Sequence, residues 1–251
     1  MKSIIHELKA RQDFEYRSFC IRLLPTVSAD TILGVRVPQI RSYARQIAGS
    51  AITREFIQVL PHTYLEENYL HGFLIEQETE FACALAQMER FLPYIDNWAV
   101  CDSVYPRALE KNRTILAQTA LRWMQSQHLF TVRYGIGVLL RAFLDEHFST
   151  HFSDAVALLR SDAYYVNMMC AWYFATALAK QYDQILPYFT APVLSSWVHN
   201  KAIQKAIESR RLSVQQKEEL RQLKRKKLPI SQKIENSKKC RFVNDVRLKK
   251  Q

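Results

Sequence analysis

Apolar residues recur at intervals of three and four along most of the chain, whereas strict alternation of apolar and polar residues is rare. The first pattern is typical of amphipathic helices and the second of half-buried strands, so the sequence predicts an all-α fold with almost no sheet. The predicted helices cover residues 3–11, 14–24, 38–48, 53–60, 66–78, 80–92, 97–105, 112–126, 131–145, 151–160, 163–181, 197–209 and 214–226.

The spacing of these helices predicts a repeat architecture. Successive units begin near residues 38, 66, 97, 131, 163 and 197, and most linkers hold only two to six residues. Such short linkers make consecutive helices antiparallel neighbours. Stacked helix pairs form a curved α-solenoid whose inner helices line a concave groove. We therefore predict a degenerate, HEAT-like α-solenoid over residues 1–224 and a separate C-terminal tail over residues 225–251.

The positive charge of the chain is concentrated at its C-terminal end. The whole sequence carries a formal net charge of +11, but residues 221–251 account for +10 of it and residues 1–220 for only +1. A nearly neutral body must bind an anion through a local patch, because it has no strong overall field. The basic tail is either a solvated end or an auxiliary contact with nucleic acid.

Cysteine usage and hydropathy indicate a reducing compartment and no membrane insertion. The five cysteines lie far apart without a CxxC pair, which favours reduced thiols. The longest apolar run, residues 166–179, is shorter than the roughly 20 residues that a bilayer requires. The seven histidines show no metal-binding spacing. We expect a cytoplasmic protein, monomeric, without a metal and without contact with a membrane.

Four residues carry the candidate chemistry. Trp98 and Asp102 lie four positions apart, a spacing that places an indole and a carboxylate on one helix face. Arg133 follows Trp98 after 35 residues and Trp172 follows Arg133 after 39, which is roughly the period of a helical repeat. A repeat fold would align these four side chains along one surface. Taken singly, each also fits an ordinary structural role, as a core aromatic residue or a paired charge.

A second group of basic residues lies further along the chain. Lys201 and Lys205 share a helix face with a spacing of four residues. They form either a stripe for phosphate groups or part of a solvated helix surface.

In order and spacing, these residues resemble the AlkD group of DNA alkylation repair proteins, which are HEAT-like solenoids. The resemblance extends over residues 1–224 and includes the segments Gly34-Val35-Arg36-Val37-Pro38, Phe91-Leu92-Pro93-Tyr94-Ile95-Asp96-Asn97-Trp98, Cys101-Asp102-Ser103, Thr131-Val132-Arg133, Ala171-Trp172 and His199-Asn200-Lys201-Ala202-Ile203-Gln204-Lys205. Active members of this family are DNA glycosylases that remove N3- and N7-alkylated purines from duplex DNA.

The resemblance implies a role for each of the four residues. Asp102 would stabilise the oxocarbenium-like sugar or position the attacking water. Trp98 and Trp172 would pack against the deoxyribose at the lesion, and Arg133 would hold the neighbouring DNA backbone. The family pattern requires no metal and no organic cofactor.

One segment departs from the family pattern. Active members carry a second helix rich in Met, Tyr and Lys that enters the minor groove, and residues 13–30 match it poorly. A non-catalytic DNA-binding paralogue is therefore one alternative, and a protein-interaction scaffold is another. The placement of residues 13–30 relative to the groove distinguishes the catalytic from the non-catalytic hypothesis.

Overall fold

The computed structural model describes residues 2–226, and side chains from residue 4 onward. Within this range the chain is helical and contains no β-strand. The α-helices are α1 (Lys2–Lys9), α2 (Phe14–Leu23), α3 (Val37–Ile47), α4 (Ala51–Phe56), α5 (Leu65–Ile75), α6 (Phe81–Phe91), α7 (Trp98–Ser103), α8 (Arg113–Trp123), α9 (Leu129–Ala142), α10 (Thr150–Leu158), α11 (Tyr164–Lys180), α12 (Tyr182–Ile185), α13 (Pro187–Thr190), α14 (Ser196–Glu208) and α15 (Val214–Gln222). Three short 3-10 helices span Ala29–Thr31, Leu92–Tyr94 and Arg107–Asn112.

The all-α prediction is confirmed. Each of the thirteen predicted helices corresponds to an observed helix, with ends that differ by at most four residues. The structure adds α12 and α13, two helices of four residues each that are separated at Pro187. Pro187 lacks a backbone N–H and so favours a new helix start over continuation of α12.

Alternate helices pack side by side in a row. α3 contacts α5, α5 contacts α7, α7 contacts α9, α9 contacts α11, and α11 contacts α14. We call these six helices the inner row. The intervening helices cover one side of it: α6 packs on α5, α8 on α9, and α10 on α11. Two layers of helices thus enclose the apolar core, in keeping with the general construction of helical domains.

Polar contacts recur between successive units at similar separations in sequence. Three ion pairs connect inner-row helices or the residues that follow these helices. Each pair links positions 31 to 35 apart: Arg41 with Glu76, Asp102 with Arg133, and Asp145 with Lys180. Side chains at equivalent places in neighbouring units therefore contact each other along the row.

Two glycines permit close approach within the layers. A Cβ atom on Gly72 of α5 would lie 2.2 Å from a methyl group of Val104, and one on Gly135 of α9 would lie 2.7 Å from the carbonyl oxygen of Ala120. Neither position can accept a side chain without movement of its neighbour. Gly135 thus has the packing role that its small size suggests.

The predicted boundary between the helical domain and the C-terminal tail falls where the chain is hydrogen-bonded to α14 and the loop before it. Arg225 exchanges two hydrogen bonds with the side chain of Asn200 and donates two more to the carbonyl oxygens of Leu194 and Ala191. Arg225 is therefore held against α14 and the loop before it. Residues 227–251, the greater part of the predicted tail, lie outside the described residues, so the division of the chain at residue 225 stays a prediction.

Candidate functional site

The four residues singled out in the sequence line one cavity. Trp98, Asp102, Arg133 and Trp172 border a space of about 730 Å³ together with Lys205. The remaining lining residues come from the end of α2 and the first half of α11: Arg22, Leu23, Pro25, Tyr164, Tyr165 and Met168. A carboxylate, two indoles and two phenol rings thus face the same space.

The start of α7 fixes the relation between Trp98 and Asp102. Asn97 caps the helix, because its side chain accepts a hydrogen bond from the backbone N–H of Val100 at 2.9 Å. Asn97 is itself almost fully buried. Helical geometry then places Trp98 and Asp102 on one face, as the spacing predicts. Trp98 is partly buried against the core, and Asp102 follows one turn later.

Asp102 is held by a bidentate ion pair with Arg133. Arg133 Nε donates to Asp102 Oδ1 at 2.8 Å, and Arg133 Nη2 donates to Asp102 Oδ2 at 2.6 Å. The side chains are only 4% (Arg133) and 13% (Asp102) exposed. Parallel charge-assisted bonds of this kind fix the plane of the carboxylate as well as its position.

Further hydrogen bonds anchor the pair to its neighbours. Arg133 Nη1 donates to the carbonyl oxygen of Tyr165 at 2.6 Å, which connects α9 to the first turn of α11. Arg141, two turns after Arg133 on α9, donates to the backbone carbonyl of Asp102. Three helices of the inner row therefore determine where the Asp102 carboxylate points.

Trp172 lines the same cavity as this ion pair and remains 43% exposed. It belongs to α11, one face of which carries Tyr165, Met168 and Trp172 at helical spacing. A carboxylate and two indoles that line the same cavity can stabilise a flat or apolar group that carries positive charge. This chemistry suits a cationic transition state or ligand.

A family model described as DNA alkylation repair enzyme matches residues 4–211. The chain belongs to this family. A search of curated proteins finds no match. The matched range contains most of α1 and all of α2 to α14, and therefore all residues that line the cavity.

A second cavity of this DNA alkylation repair family member lies beside the first and shares Asp102 with it. It measures about 600 Å³, and most of its lining is polar. Its charged lining residues are the cations Arg41, Arg107, Arg141, Lys180 and Arg211 and the acids Glu76 and Asp102. This side of Asp102 therefore carries an excess of positive charge, in contrast to the aromatic cavity on the other side.

A smaller cavity of about 310 Å³ adjoins both. It shares Trp172 and Lys205 with the first cavity and Thr176 and Arg211 with the second. The aromatic and the cationic spaces are thus adjacent parts of one surface along the inner row.

The two predicted lysines occupy different places. Lys205 lines the cavity of the indoles, and its Nζ lies 3.7 Å from a carboxylate oxygen of Glu208. Lys201, one turn earlier on α14, donates to the side chain of Gln204 at 3.2 Å and does not line that cavity. The structure thus brings five of the six predicted site residues together and places Lys201 beside them.

The sequence patterns did not identify several of the residues that line the cavity of the indoles. Tyr165 and Met168 share the helix face of Trp172, so the helical period could have identified them. Arg22, Leu23 and Pro25 could not be found in this way, because their contact with the cavity depends on where α2 packs.

Among the described residues, no group of His, Cys, Asp and Glu side chains could hold a metal ion, and no helix is long and apolar enough to cross a membrane.

Proposed function

We propose that the chain binds duplex DNA along the inner row and hydrolyses the N-glycosidic bond of cationic N3- and N7-alkylated purines. The observation that carries this proposal is that Asp102, Trp98 and Trp172 line one cavity. Membership in the DNA alkylation repair family and the adjacent cationic cavity support it. The regular contacts along the inner row also support a HEAT-like solenoid whose concave side is this DNA-binding surface.

The proposed reaction needs no acid to activate the leaving group. An alkylated purine already carries a positive charge, so it departs with the electrons of the C1′–N bond as a neutral base. Positive charge then develops on the sugar, and the Asp102 carboxylate stabilises it electrostatically. Water adds its oxygen to C1′ and releases a proton to solvent, which completes the hydrolysis. Trp98 and Trp172 pack against the sugar and exclude competing water.

In this proposal Arg133 positions Asp102 and does not bind the DNA backbone. Three of its five N–H donors are engaged, by both oxygens of Asp102 and by the carbonyl of Tyr165, and the side chain is 4% exposed. Little of the guanidinium is left to contact a phosphate. Lys205, which is 42% exposed, is the better candidate for that contact, with Lys201 beside it on α14.

The position of α2 favours the catalytic hypothesis over the non-catalytic one. Residues 14–23 form a helix despite their poor match to the family pattern, and Arg22 and Leu23 at its C-terminal end line the cavity of Asp102. The side chains of Phe19 and Leu23 are 47% and 42% exposed on this helix. A helix with exposed apolar residues at the mouth of the cavity can contact DNA that lies there.

The hypothesis of a protein-interaction scaffold receives less support. It predicts an apolar groove and a fully buried Trp98, whereas Trp98 borders the cavity and the adjoining space is lined by five cations. Such a lining is typical of a surface that binds phosphate groups.

Release of 7-methylguanine from methylated duplex DNA tests the proposal. We expect the wild-type protein to release the base and Asp102→Asn to release at least 100-fold less, because one charged group provides most of the transition-state stabilisation. Since Asp102 is buried, its variant requires a melting curve beside the assay. Absence of release by the wild type above the Asp102→Asn background would reject the catalytic proposal.

A surface variant separates activity from folding. Trp172 is 43% exposed, so Trp172→Leu should retain the fold and lose most of the release. Tyr94→Leu is the matched control, because Tyr94 is 42% exposed and does not line the cavity. Duplex binding with no release in any protein would instead assign the chain to the non-catalytic alternative.

A further inference from the structure

An aromatic surface continues outward from the cavity. Tyr164, the first residue of α11, lines the cavity and is 56% exposed. Its ring lies 5.8 Å from the indole of Trp197 on α14, at an interplanar angle of 72°. Trp197 is 42% exposed and does not line the cavity itself. We call the pair Tyr164 and Trp197 the aromatic shelf.

The shelf is not explained by packing alone. Large aromatic side chains contribute most to stability when they are buried, yet both rings of the shelf are about half exposed and contact each other edge to face. Tyr165, the neighbour of Tyr164, is by contrast partly buried and packs against the core. The ring of Tyr164 also contacts that of Tyr165 edge to face, yet the exposed parts of Tyr164 and Trp197 remain accessible to a ligand.

Positive charge accompanies the shelf along α14. Trp197, Lys201 and Lys205 follow one another at intervals of four residues, so they form a stripe on one helix face. Lys205 at the end of this stripe also lines the cavity of Asp102. Aromatic rings beside lysines form the usual surface for an unpaired nucleotide, in which the base stacks and the phosphate meets the cation.

We propose that the aromatic shelf binds an unpaired nucleobase of the same DNA molecule that occupies the Asp102 cavity, with Lys201 against its phosphate. This proposal rests on the proposed function, because it presumes that DNA lies along the inner row. It adds a substrate preference: DNA with an unpaired nucleotide near the lesion binds more tightly than fully paired DNA. A paired base cannot use the shelf, because both of its faces are covered by neighbouring bases in the stack.

The test compares three duplexes with the same paired sequence: one fully paired, one with a single bulged nucleotide and one with an abasic residue in the bulge. The two bulged duplexes carry the same number of phosphates. The abasic bulge is equally deformable but has no base to stack. We expect the wild-type protein to bind the nucleotide bulge about 5- to 150-fold more tightly than the abasic bulge, which is the range for stacking of one base on an aromatic side chain. Fluorescence anisotropy of a labelled strand measures each dissociation constant.

Variants assign the preference to the shelf. Trp197→Leu and Tyr164→Leu should bring the ratio between the two bulges close to one, and Trp197→Phe should retain part of it. Tyr94→Leu, a variant of an equally exposed ring elsewhere, should preserve the wild-type ratio. Circular dichroism melting confirms that each variant is folded.

The outcomes separate this inference from the proposed function. Tight binding of paired duplex with equal affinity for the two bulges overturns the shelf and leaves the DNA-binding proposal intact. A bulge preference that persists in both leucine variants overturns the shelf as well. Failure to bind any of the three duplexes overturns both proposals.

Discussion

Arg133 and Asp102 form two parallel hydrogen bonds across 31 residues of sequence, from Nε to Oδ1 at 2.8 Å and from Nη2 to Oδ2 at 2.6 Å. The same guanidinium reaches the backbone of Tyr165 on the next helix of the row. This arrangement fixes the orientation of the carboxylate in the cavity. We therefore propose that Arg133 positions Asp102, whereas the family resemblance implies a contact of Arg133 with the DNA backbone.

Loss of the Arg133 guanidinium should destabilise the fold strongly. Arg133→Met leaves the Asp102 carboxylate, which is 13% exposed, without its partner. Removal of one member of a buried pair typically costs about 3–5 kcal/mol. Urea denaturation should show this loss of stability. Arg133→Lys should lose less stability than Arg133→Met, because lysine keeps the positive charge although it cannot form the bidentate hydrogen bonds.

A double variant separates the ion pair from local packing. Asp102→Asn together with Arg133→Met removes both charges, so its loss of stability should be clearly smaller than the sum of the two single losses. Additive losses would mean that the two side chains are energetically independent, and the positioning role of Arg133 would then have no basis.

The helical fold was accessible from the sequence because it depends on local periodicity. Within residues 2–226, the pattern located all thirteen α-helices of six or more residues, and the spacing of Trp98 and Asp102 placed both on one face. The separations of 35 and 39 residues predicted that Arg133 and Trp172 lie on the same surface as Trp98 and Asp102, on the assumption that repeated helical units stack side by side. Five of the six predicted site residues line the cavity, which supports that assumption.

Other features depend on packing between elements and left no periodic signal. The ion pair of Asp102 with Arg133 forms because α7 packs against α9, and the sequence does not show that a carboxylate and a guanidinium 31 residues apart will pair. The contact of Leu23 with the cavity depends on how α2 is attached. The cationic cavity gathers residues from positions 41 to 211, which no local motif connects.

The attachment of α2 depends on the close approach of Gly34 to that helix. Gly34 has φ of +90°, and a Cβ there would lie 2.5 Å from Cβ of Arg17 and 2.7 Å from the carbonyl oxygen of Asp13. The buried Glu66 carboxylate accepts hydrogen bonds from the backbone N–H groups of Leu33 and Gly34 at 2.9 and 2.7 Å. This loop therefore holds α2 beside the cavity.

Gly34→Ala should lower stability and also weaken DNA binding, because α2 must move. Gly49→Ala is a matched control: Gly49 has φ of +75°, but a Cβ there would meet nothing within 4 Å. Gly49→Ala should lower the free energy of unfolding by about 1–2 kcal/mol, because alanine is disfavoured in the left-handed backbone conformation. Gly34→Ala should lower it by clearly more. Equal losses in thermal melting would indicate that the contact with α2 is not tight.

A buried pair of histidines should make the fold sensitive to acid. His62 Nε2 and His71 Nδ1 share a hydrogen bond of 2.8 Å, and the two rings stack against Phe56 and Phe91 respectively. Burial lowers the pKa of His62 from 6.5 to about 4 and that of His71 to about 3, and for His71 the charges of His62 and Arg90 lower it further. Both rings are therefore neutral in the folded protein near pH 5.

The sign of the effect follows from proton uptake. Between pH 6.5 and about 4 the unfolded chain binds protons at these histidines and the folded protein does not, so stability falls as the pH decreases. Above pH 6.5 the pair contributes no pH dependence. Each ring adds a slope of up to about 1.4 kcal/mol per pH unit. Urea denaturation from pH 7.5 to 4.5 should show a smaller slope for His71→Phe than for the wild type, and an unchanged slope would assign the acid sensitivity to other groups.

Lys205 is the side chain that we propose contacts a DNA phosphate. Each phosphate neutralised by a protein cation steepens the salt dependence of DNA binding by about one unit in the logarithmic plot. Lys205→Gln should therefore reduce the slope by about one, and Lys201→Gln should also reduce it if α14 follows the DNA backbone. Lys111→Gln is the control, because Lys111 pairs with Glu80 at 3.6 Å and lines neither the cavity of the indoles nor the cationic cavity.

Glu208→Gln provides a test of opposite sign at the same site. Glu208 lies 3.7 Å from Lys205 Nζ and competes with a phosphate for its charge. Its neutralisation should tighten duplex binding, most visibly at low salt, because exposed charges interact over about 10 Å at 0.1 M salt and over a longer range below that. If Lys205→Gln and Glu208→Gln both leave the affinity and the salt slope unchanged, the DNA backbone does not pass along this face of α14, and the path of the duplex must be sought nearer to the cations of the second cavity.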